Sequence, residues 1–217
     1  MKKEYLKVIV FSIFLVLFES FVYFICKLSP IDVTVITSSF DQKLPLIPFF
    51  CLFYYLWYIY LFLIPFIMYK VNPNYFYKYA SITIITVLVG AIIFILFPTT
   101  IERGVNINEV KSIFKYPLKF IYFTDTPNLC CLPSMHCALA YIFMYMALST
   151  KELKIPYKIM ITLSSLGIVL STLFIKQHVI WDVLAAILLI IISLIIDKFT
   201  KIDKFVQKKF ENFKYFK

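Results

Sequence analysis

The sequence predicts an all-α, polytopic membrane protein, with six transmembrane helices in a bundle and a long outer loop between helices three and four. Of its 217 residues, 62% are hydrophobic and 16% are charged, whereas soluble domains are about half apolar and about a quarter charged. The apolar residues form six runs of about 17 to 21 residues, the length that a helix needs to cross a bilayer. These runs lack the strict alternation of barrel strands. A water-soluble globule and a disordered chain are therefore excluded.

The predicted spans account for most of the chain, which we treat as one transmembrane domain over residues 1–217 with a basic tail at 198–217. They fall at residues 7–26, 48–68, 79–97, 132–148, 157–175 and 179–196. The first span follows Lys2 and Lys3 as in a secretory signal, but no small-residue cleavage pattern follows Cys26. We therefore expect it to be a retained helix.

Lysine and arginine concentrate on one side of this topology. The N-terminus, two inner loops and the tail hold 15 of the 22 Lys and Arg residues, and such residues are retained on the cytoplasmic side. We therefore expect an integral protein of a bacterial plasma membrane with both termini cytoplasmic. The tail combines lysines with Phe205, Phe210, Phe213 and Tyr215, which suits anionic lipid head groups. This topology explains the net charge of +10 better than nucleic-acid binding does.

The longest connection, residues 98–131, lies on the side opposite the tail. Loops of this length are usually either functional or disordered. Within it, residues 107–122 interleave apolar side chains with Lys111, Lys115 and Lys119. We expect this part to lie as an amphipathic segment along the membrane surface.

Both histidines of the chain fall where a predicted helix begins on the outer side. His136 starts span four, and His178 precedes span six. Asp182 follows His178 by four residues, a spacing that places both side chains on one helix face. The carboxylate can then hold one imidazole nitrogen and leave the other free to act as a nucleophile. The alternative is an interfacial pair that contacts only water and itself.

Arg103 is the one arginine among 22 Lys and Arg residues, and it lies in the outer loop. A planar guanidinium binds phosphate oxygens in a bidentate way, whereas a lysine ammonium acts as a point charge. Arg103 is therefore a candidate phosphate ligand, although a single surviving arginine codon explains it equally simply.

Ser134, in Pro133-Ser134-Met135-His136, is placed to cap the start of span four. Unpaired N–H groups and the helix dipole favour an anion at such an end. This position is therefore either a phosphate contact or an ordinary helix cap.

Taken together, these motifs resemble the type 2 phosphatidic acid phosphatase superfamily. The pattern of that family is Lys-x6-Arg-Pro, then Pro-Ser-Gly-His, then Ser-Arg-x5-His-x3-Asp. The matching residues are Arg103, Pro133-Ser134-Met135-His136, and Ser171 with His178 and Asp182 at the spacing of the third motif. The motifs cover residues 97–182, and the six-helix arrangement extends the resemblance over nearly the whole chain.

The chain departs from the pattern at several places. Leu96 stands where the family has its first Lys, Gly104 replaces Pro, Met135 replaces Gly, and Thr172 replaces Arg. Lys176, two residues before His178, is placed to restore one of the two missing cations.

The motif Asp125-Thr126-Pro127-Asn128, together with Lys176-Gln177-His178, looks most like the inositol phosphorylceramide synthase branch of the superfamily. Members of that branch transfer phosphoryl head groups between lipids.

The resemblance implies a catalytic set of His178, His136 and Asp182. His178 attacks phosphorus to form a phosphohistidine, Asp182 holds its tautomer, and His136 acts as general acid and then base.

The same resemblance implies that Arg103, Lys176 and Ser134 hold the phosphate oxygens. Ser171 supports that site or its helix packing, and Asp125 and Asn128 order the loop below His136. No metal and no cofactor is expected.

The predicted function is that of a lipid phosphatase acting on a lipid phosphate or pyrophosphate, with a lipid phosphotransferase as the alternative. Its partners would be the lipid substrate and the bilayer, with no nucleic acid. A transporter or a non-catalytic scaffold is the alternative from another class. Glu19, inside span one, is the ionisable residue that this prediction does not explain.

Overall fold

The structure, a computed structural model, describes residues 2–28 and 32–213. Tyr215 of the predicted tail lies outside the described residues. The helices are α1 Lys2–Lys27, α2 Ser39–Lys43, α3 Cys51–Val71, α4 Pro73–Leu96, α5 Lys115–Thr124, α6 Met135–Ser149, α7 Ile155–Phe174, α8 Ile180–Phe199 and α9 Ile202–Glu211. Short 3₁₀ turns occupy Pro48–Phe50 and Ile107–Glu109, and a two-residue strand pair joins β1 Thr34–Val35 to β2 Thr99–Thr100 in parallel.

Within these residues, five helices are long and apolar enough to cross a membrane: α1, α3, α4, α7 and α8. This confirms an all-α membrane protein. The predicted fourth span is shorter than expected, because α6 begins at Met135 and contains only 15 residues. At 1.5 Å per residue it reaches about 22 Å, less than the roughly 30 Å of a hydrocarbon core.

The start of α6 is set by local chemistry. Pro133 cannot donate a backbone hydrogen bond, and the Ser134 hydroxyl accepts from the backbone N–H of Cys137 at 3.2 Å. That hydroxyl satisfies a donor that would otherwise be unpaired at the helix end. As a result, His136 lies in the first turn of α6.

Helices α4 and α6 form the inside of the bundle. Helix α4 packs against α1, α3, α6, α8 and α9, and α6 packs against α3, α4, α7 and α8. Residues Cys137, Ala138, Leu139 and Ala140 at the start of α6 are fully buried. By contrast, α1 is peripheral and exposes large apolar side chains such as Leu17 and Phe21 on its outer face.

The segment between α4 and α6, which we call the outer segment after the side of the membrane predicted for it, is folded onto the ends of the bundle. Leu118, Ile121 and Tyr122 of α5 pack against Cys51 and Tyr54 of α3. The Tyr122 hydroxyl also donates to the carbonyl of Ile175 at 2.8 Å. The predicted amphipathic segment therefore contains a helix whose inner face is buried against protein.

The other face of α5 carries exposed apolar side chains. Tyr116, Phe120 and Phe123 all lie on that face, away from the bundle.

The basic tail forms helix α9, which folds back onto the bundle. Its Val206 and Phe210 are buried, and Phe210 meets Phe76 edge-on with ring centroids 5.3 Å apart. Its lysines lie on the exposed side.

We predict that Gly167→Val in α7 destabilises the fold, because a side chain at this position collides with Phe53 of α3. A Cβ atom placed on Gly167 would lie 2.5 Å from Cδ1 of that ring. Overpacking of this kind costs about 1–3 kcal/mol. Thermal unfolding of the detergent-purified protein measures it, with Leu170→Val on the exposed face of α7 as control. Equal melting temperatures for the two variants would contradict the expectation.

Candidate functional site

His178 and Asp182 form a hydrogen-bonded pair at the start of α8. His178 Nδ1 lies 2.9 Å from Oδ2 of Asp182. The same oxygen accepts the backbone N–H of Val179 at 3.1 Å. Asp182 is fully buried, whereas His178 keeps 11% of its side chain exposed. The pair therefore fixes one ring nitrogen of His178 and leaves the other available.

Asp182 also links the two helix starts that carry the histidines. Its backbone carbonyl accepts the N–H of Ser134 at 3.2 Å. Ser134 caps α6, in which His136 is the second residue. One buried residue thus holds His178 through its side chain and the start of α6 through its backbone.

The structure brings the two imidazole rings together. The ring centroids of His136 and His178 are 5.9 Å apart, with 53° between their planes. His136 stacks on Tyr54 at 4.5 Å and contacts Trp57 at 4.3 Å. Its Nε2 atom is buried without a hydrogen-bond partner among the described residues. Two aromatic rings of α3 therefore set the orientation of His136.

Arg103 occupies a fixed position in the outer segment. Its Nη2 atom donates to Oδ2 of Asp125 at 3.0 Å and to Oε1 of Gln177 at 3.3 Å. The guanidinium carbon lies 4.4 Å from the centroid of the Tyr122 ring. Nε has no hydrogen-bond partner within the part of the chain that the structure describes. Arg103 therefore contacts the residue next to His178 and retains a free donor.

Lys176 lies in the tight turn between α7 and α8, with a left-handed φ of 56°. Its Nζ donates to the backbone carbonyl of Asp41 at 2.6 Å, and the Asp41 side chain accepts the N–H of Ile180 at 2.9 Å. Burial lowers the pKa of Lys176, and the neighbouring Asp41 carboxylate opposes this shift.

Three of the predicted site residues serve the surrounding structure. Ser134 is fully buried as the cap of α6. Ser171 is also buried, and its hydroxyl donates to the carbonyl of Ile168 within α7. Asn128 donates from Nδ2 to the carbonyl of Ile101 at 2.7 Å, which ties the outer segment together.

Asp125 is an electrostatic centre, since it pairs with both Arg103 and Lys27. It also accepts a hydrogen bond from the hydroxyl of Tyr23 at 3.0 Å. The outer segment is thereby tied to the end of α1.

Two cavities have His178 in their walls. The first, which we call the aromatic cavity, has a volume of about 300 Å³. His136, Tyr54, Trp57, Asp125 and Glu19 are among its lining residues.

The second cavity, which we call the polar cavity, has a volume of about 400 Å³. Arg103, Lys176, Gln42 and Glu102 are among its lining residues. Arg103 and Lys176 therefore line one cavity and His136 lines the other, whereas His178 lines both.

Several residues around the site could not be found from the motifs. Asp41 lies far from His178 in sequence, and its one local signal is the Ser38-x-x-Asp41 capping box of α2.

Tyr23 and Lys27 lie at the end of α1, where an aromatic and a cation are typical of any membrane interface. Tyr54 and Trp57 resemble ordinary apolar residues of a span until their contact with His136 is known.

Comparison with known proteins supports the resemblance deduced from the motifs. Residues 29–196 match the family model described as the PAP2 superfamily, the type 2 phosphatidic acid phosphatases. No curated protein and no solved structure matches the chain. The inositol phosphorylceramide synthase branch stays a prediction. Since the matched residues make up more than half of the sequence, the chain belongs to the PAP2 superfamily, whose members are generally phosphatases or phosphotransferases.

Proposed function

We propose that this protein is an integral membrane lipid phosphatase that works through a phosphohistidine on His178. The observation that carries the proposal is the convergence of the two imidazole rings, 5.9 Å apart, with one ring held by buried Asp182. A nucleophile, a group that orients it and an acid–base partner are the parts that covalent phosphoryl transfer requires.

In the first step, the free Nε2 atom of His178 attacks phosphorus and the bond to the leaving oxygen breaks. Nδ1–H donates to Asp182, which holds the ring in the reactive tautomer and stabilises the positive charge that develops. His136 lines the same cavity as His178 and gives a proton to the departing alkoxide.

In the second step, His136 takes a proton from water. The resulting nucleophile attacks phosphorus, the phosphorus–nitrogen bond breaks, and inorganic phosphate leaves. Resolution by an alcohol in place of water would make the enzyme a phosphotransferase.

The two cavities suit the two ends of a lipid phosphate. The phosphoryl oxygens would face the polar cavity, where Arg103 and Lys176 supply positive charge. The leaving side would face the aromatic cavity, about half of whose lining residues come from α1 and α3. We place this site on the outer face of a six-span topology with cytoplasmic termini, with α6 as the short span.

The first test is phosphate release from lipid monophosphates and pyrophosphates in detergent. We expect His178→Ala to lower turnover by at least about 1,000-fold, and His136→Ala by about 100- to 10,000-fold. With ³²P-labelled substrate, the wild type should form an acid-labile phosphoenzyme that His178→Ala lacks. Lys111→Ala, on the surface of the outer segment, is the control. Wild-type turnover in both histidine variants would exclude the mechanism.

Asp182→Asn should lower kcat by about 100- to 10,000-fold, because an amide cannot stabilise the imidazolium and favours the wrong tautomer. Asparagine has nearly the same shape as aspartate, and its side-chain oxygen can still accept the N–H of Val179. Melting temperature in detergent should therefore fall far less than kcat. A variant with unchanged kcat would remove Asp182 from the mechanism.

Arg103→Lys should lower kcat/KM by about 10- to 100-fold, because an ammonium cannot bind Asp125 and Gln177 and present a further donor in one plane. Steady-state kinetics measure this effect, and Lys119→Arg on α5 is the matched exchange in the opposite direction. A kcat/KM equal to that of the wild type would show that the guanidinium does not contact the phosphoryl group.

A further inference from the structure

Glu19 is an acidic side chain within α1 that the catalytic scheme does not use. It lines the aromatic cavity together with His136 and His178. Among residues 2–28 and 32–213, it has no hydrogen bond and no ion pair. A carboxylate inside a membrane span is costly without a partner and is usually functional.

No lysine or arginine is among the residues that line the aromatic cavity beside Glu19. Asp125, the other carboxylate of the lining, is already paired with Arg103 and Lys27. Tyr23, one turn above Glu19, donates its hydroxyl to Asp125 and to the carbonyl of Leu129. His178, which also lines the cavity, is hydrogen-bonded to Asp182. Arg103 and Lys27 are therefore both paired with Asp125, and Glu19 has no cationic partner among the described residues.

The surroundings of Glu19 are aromatic. Tyr54, Trp57 and Tyr58 of α3 line the same cavity. A carboxylate beside several aromatic rings attracts organic cations, because charge attraction and the negative faces of the rings act together. A neutral hydroxyl group offers no positive charge to pair with the carboxyl group.

The cavity also has a polar edge toward the outside of the bundle. Ser20 and Tyr58 are both exposed, although they lie within spans that otherwise face outward with apolar side chains. The aromatic cavity therefore includes polar side chains that are accessible from outside the bundle.

We propose that the aromatic cavity is a subsite for an organic ammonium group and that Glu19 is its anionic ligand. The inference rests on the proposed function, and it places the ammonium group on the departing alcohol of the substrate, close to the phosphate ester. The enzyme would then prefer amino-alcohol phosphates with a long chain to plain alkyl phosphates.

The experiment compares three substrates that differ at one position: 2-aminododecyl, 2-hydroxydodecyl and dodecyl phosphate. We expect the wild type to favour the amino substrate over both others by at least tenfold in kcat/KM. Glu19→Gln should bring the ratio of amino to plain substrate close to one, and Glu19→Asp should restore part of it. Glu152→Gln, on the exposed connection between α6 and α7, should leave the ratio unchanged. A wild-type ratio near one, or a ratio that survives Glu19→Gln, would overturn the proposal.

A binding measurement separates this inference from the phosphatase assignment. Dodecylammonium below its micellar concentration should raise the melting temperature of the wild type in detergent, since a ligand that binds the native state stabilises it. The rise should be absent with dodecanol and absent in Glu19→Gln. If no phosphate is hydrolysed, the phosphatase proposal fails and this measurement alone decides the subsite. An equal rise in the wild type and Glu19→Gln would exclude it.

Discussion

The buried carboxylate of Asp182 is the constraint on which the arrangement of the site depends. Its Oδ2 atom joins the His178 ring and the first turn of α8, and its backbone carbonyl holds the Ser134 N–H at the start of α6. These hydrogen bonds determine where both imidazole-bearing helix ends lie. A buried acid without partners is strongly unfavourable, so the burial of Asp182 depends on the hydrogen bonds that its Oδ2 atom makes with His178 and Val179. Its Oδ1 atom has no partner among the described residues.

Helices α6 and α8 bring their residues to one point, and neighbouring elements decide what surrounds that point. Helix α3 supplies the rings against His136, the outer segment supplies Arg103, and the turn after α7 supplies Lys176. His178 lies between an aromatic space and a polar one. Under the proposed function, this separation would let His178 meet the phosphate and the apolar part of a lipid substrate in different surroundings.

Features that depend on local spacing were accessible from the sequence, and features that depend on distant contacts were not. The contact between His178 and Asp182 and the cap at Ser134 were predicted from local spacing, and the structure shows both. The two residues do not share a helix face as predicted, because α8 begins at Ile180 and Asp182 reaches back to a ring that precedes the helix. The ion pair between Lys27 and Asp125 and the hydrogen bond between Lys176 and Asp41 join segments about a hundred or more residues apart along the chain. Hydroxyl-bearing residues were the least predictable, because Ser171 satisfies its hydroxyl within its own helix. The fourth span was predicted too long, because its apolar run begins at residue 132 whereas the helix begins at Met135.

The short, enclosed helix α6 has a consequence for how the polypeptide enters the bilayer. A segment of about 22 Å with a histidine in its first turn is poorly suited to partition into lipid by itself. Its flanks are covered by α3, α4, α7 and α8, two of which are synthesised before it and two after. We therefore expect the segment to stay beside α3 and α4 until α7 and α8 have been synthesised, so that the two histidines come together late.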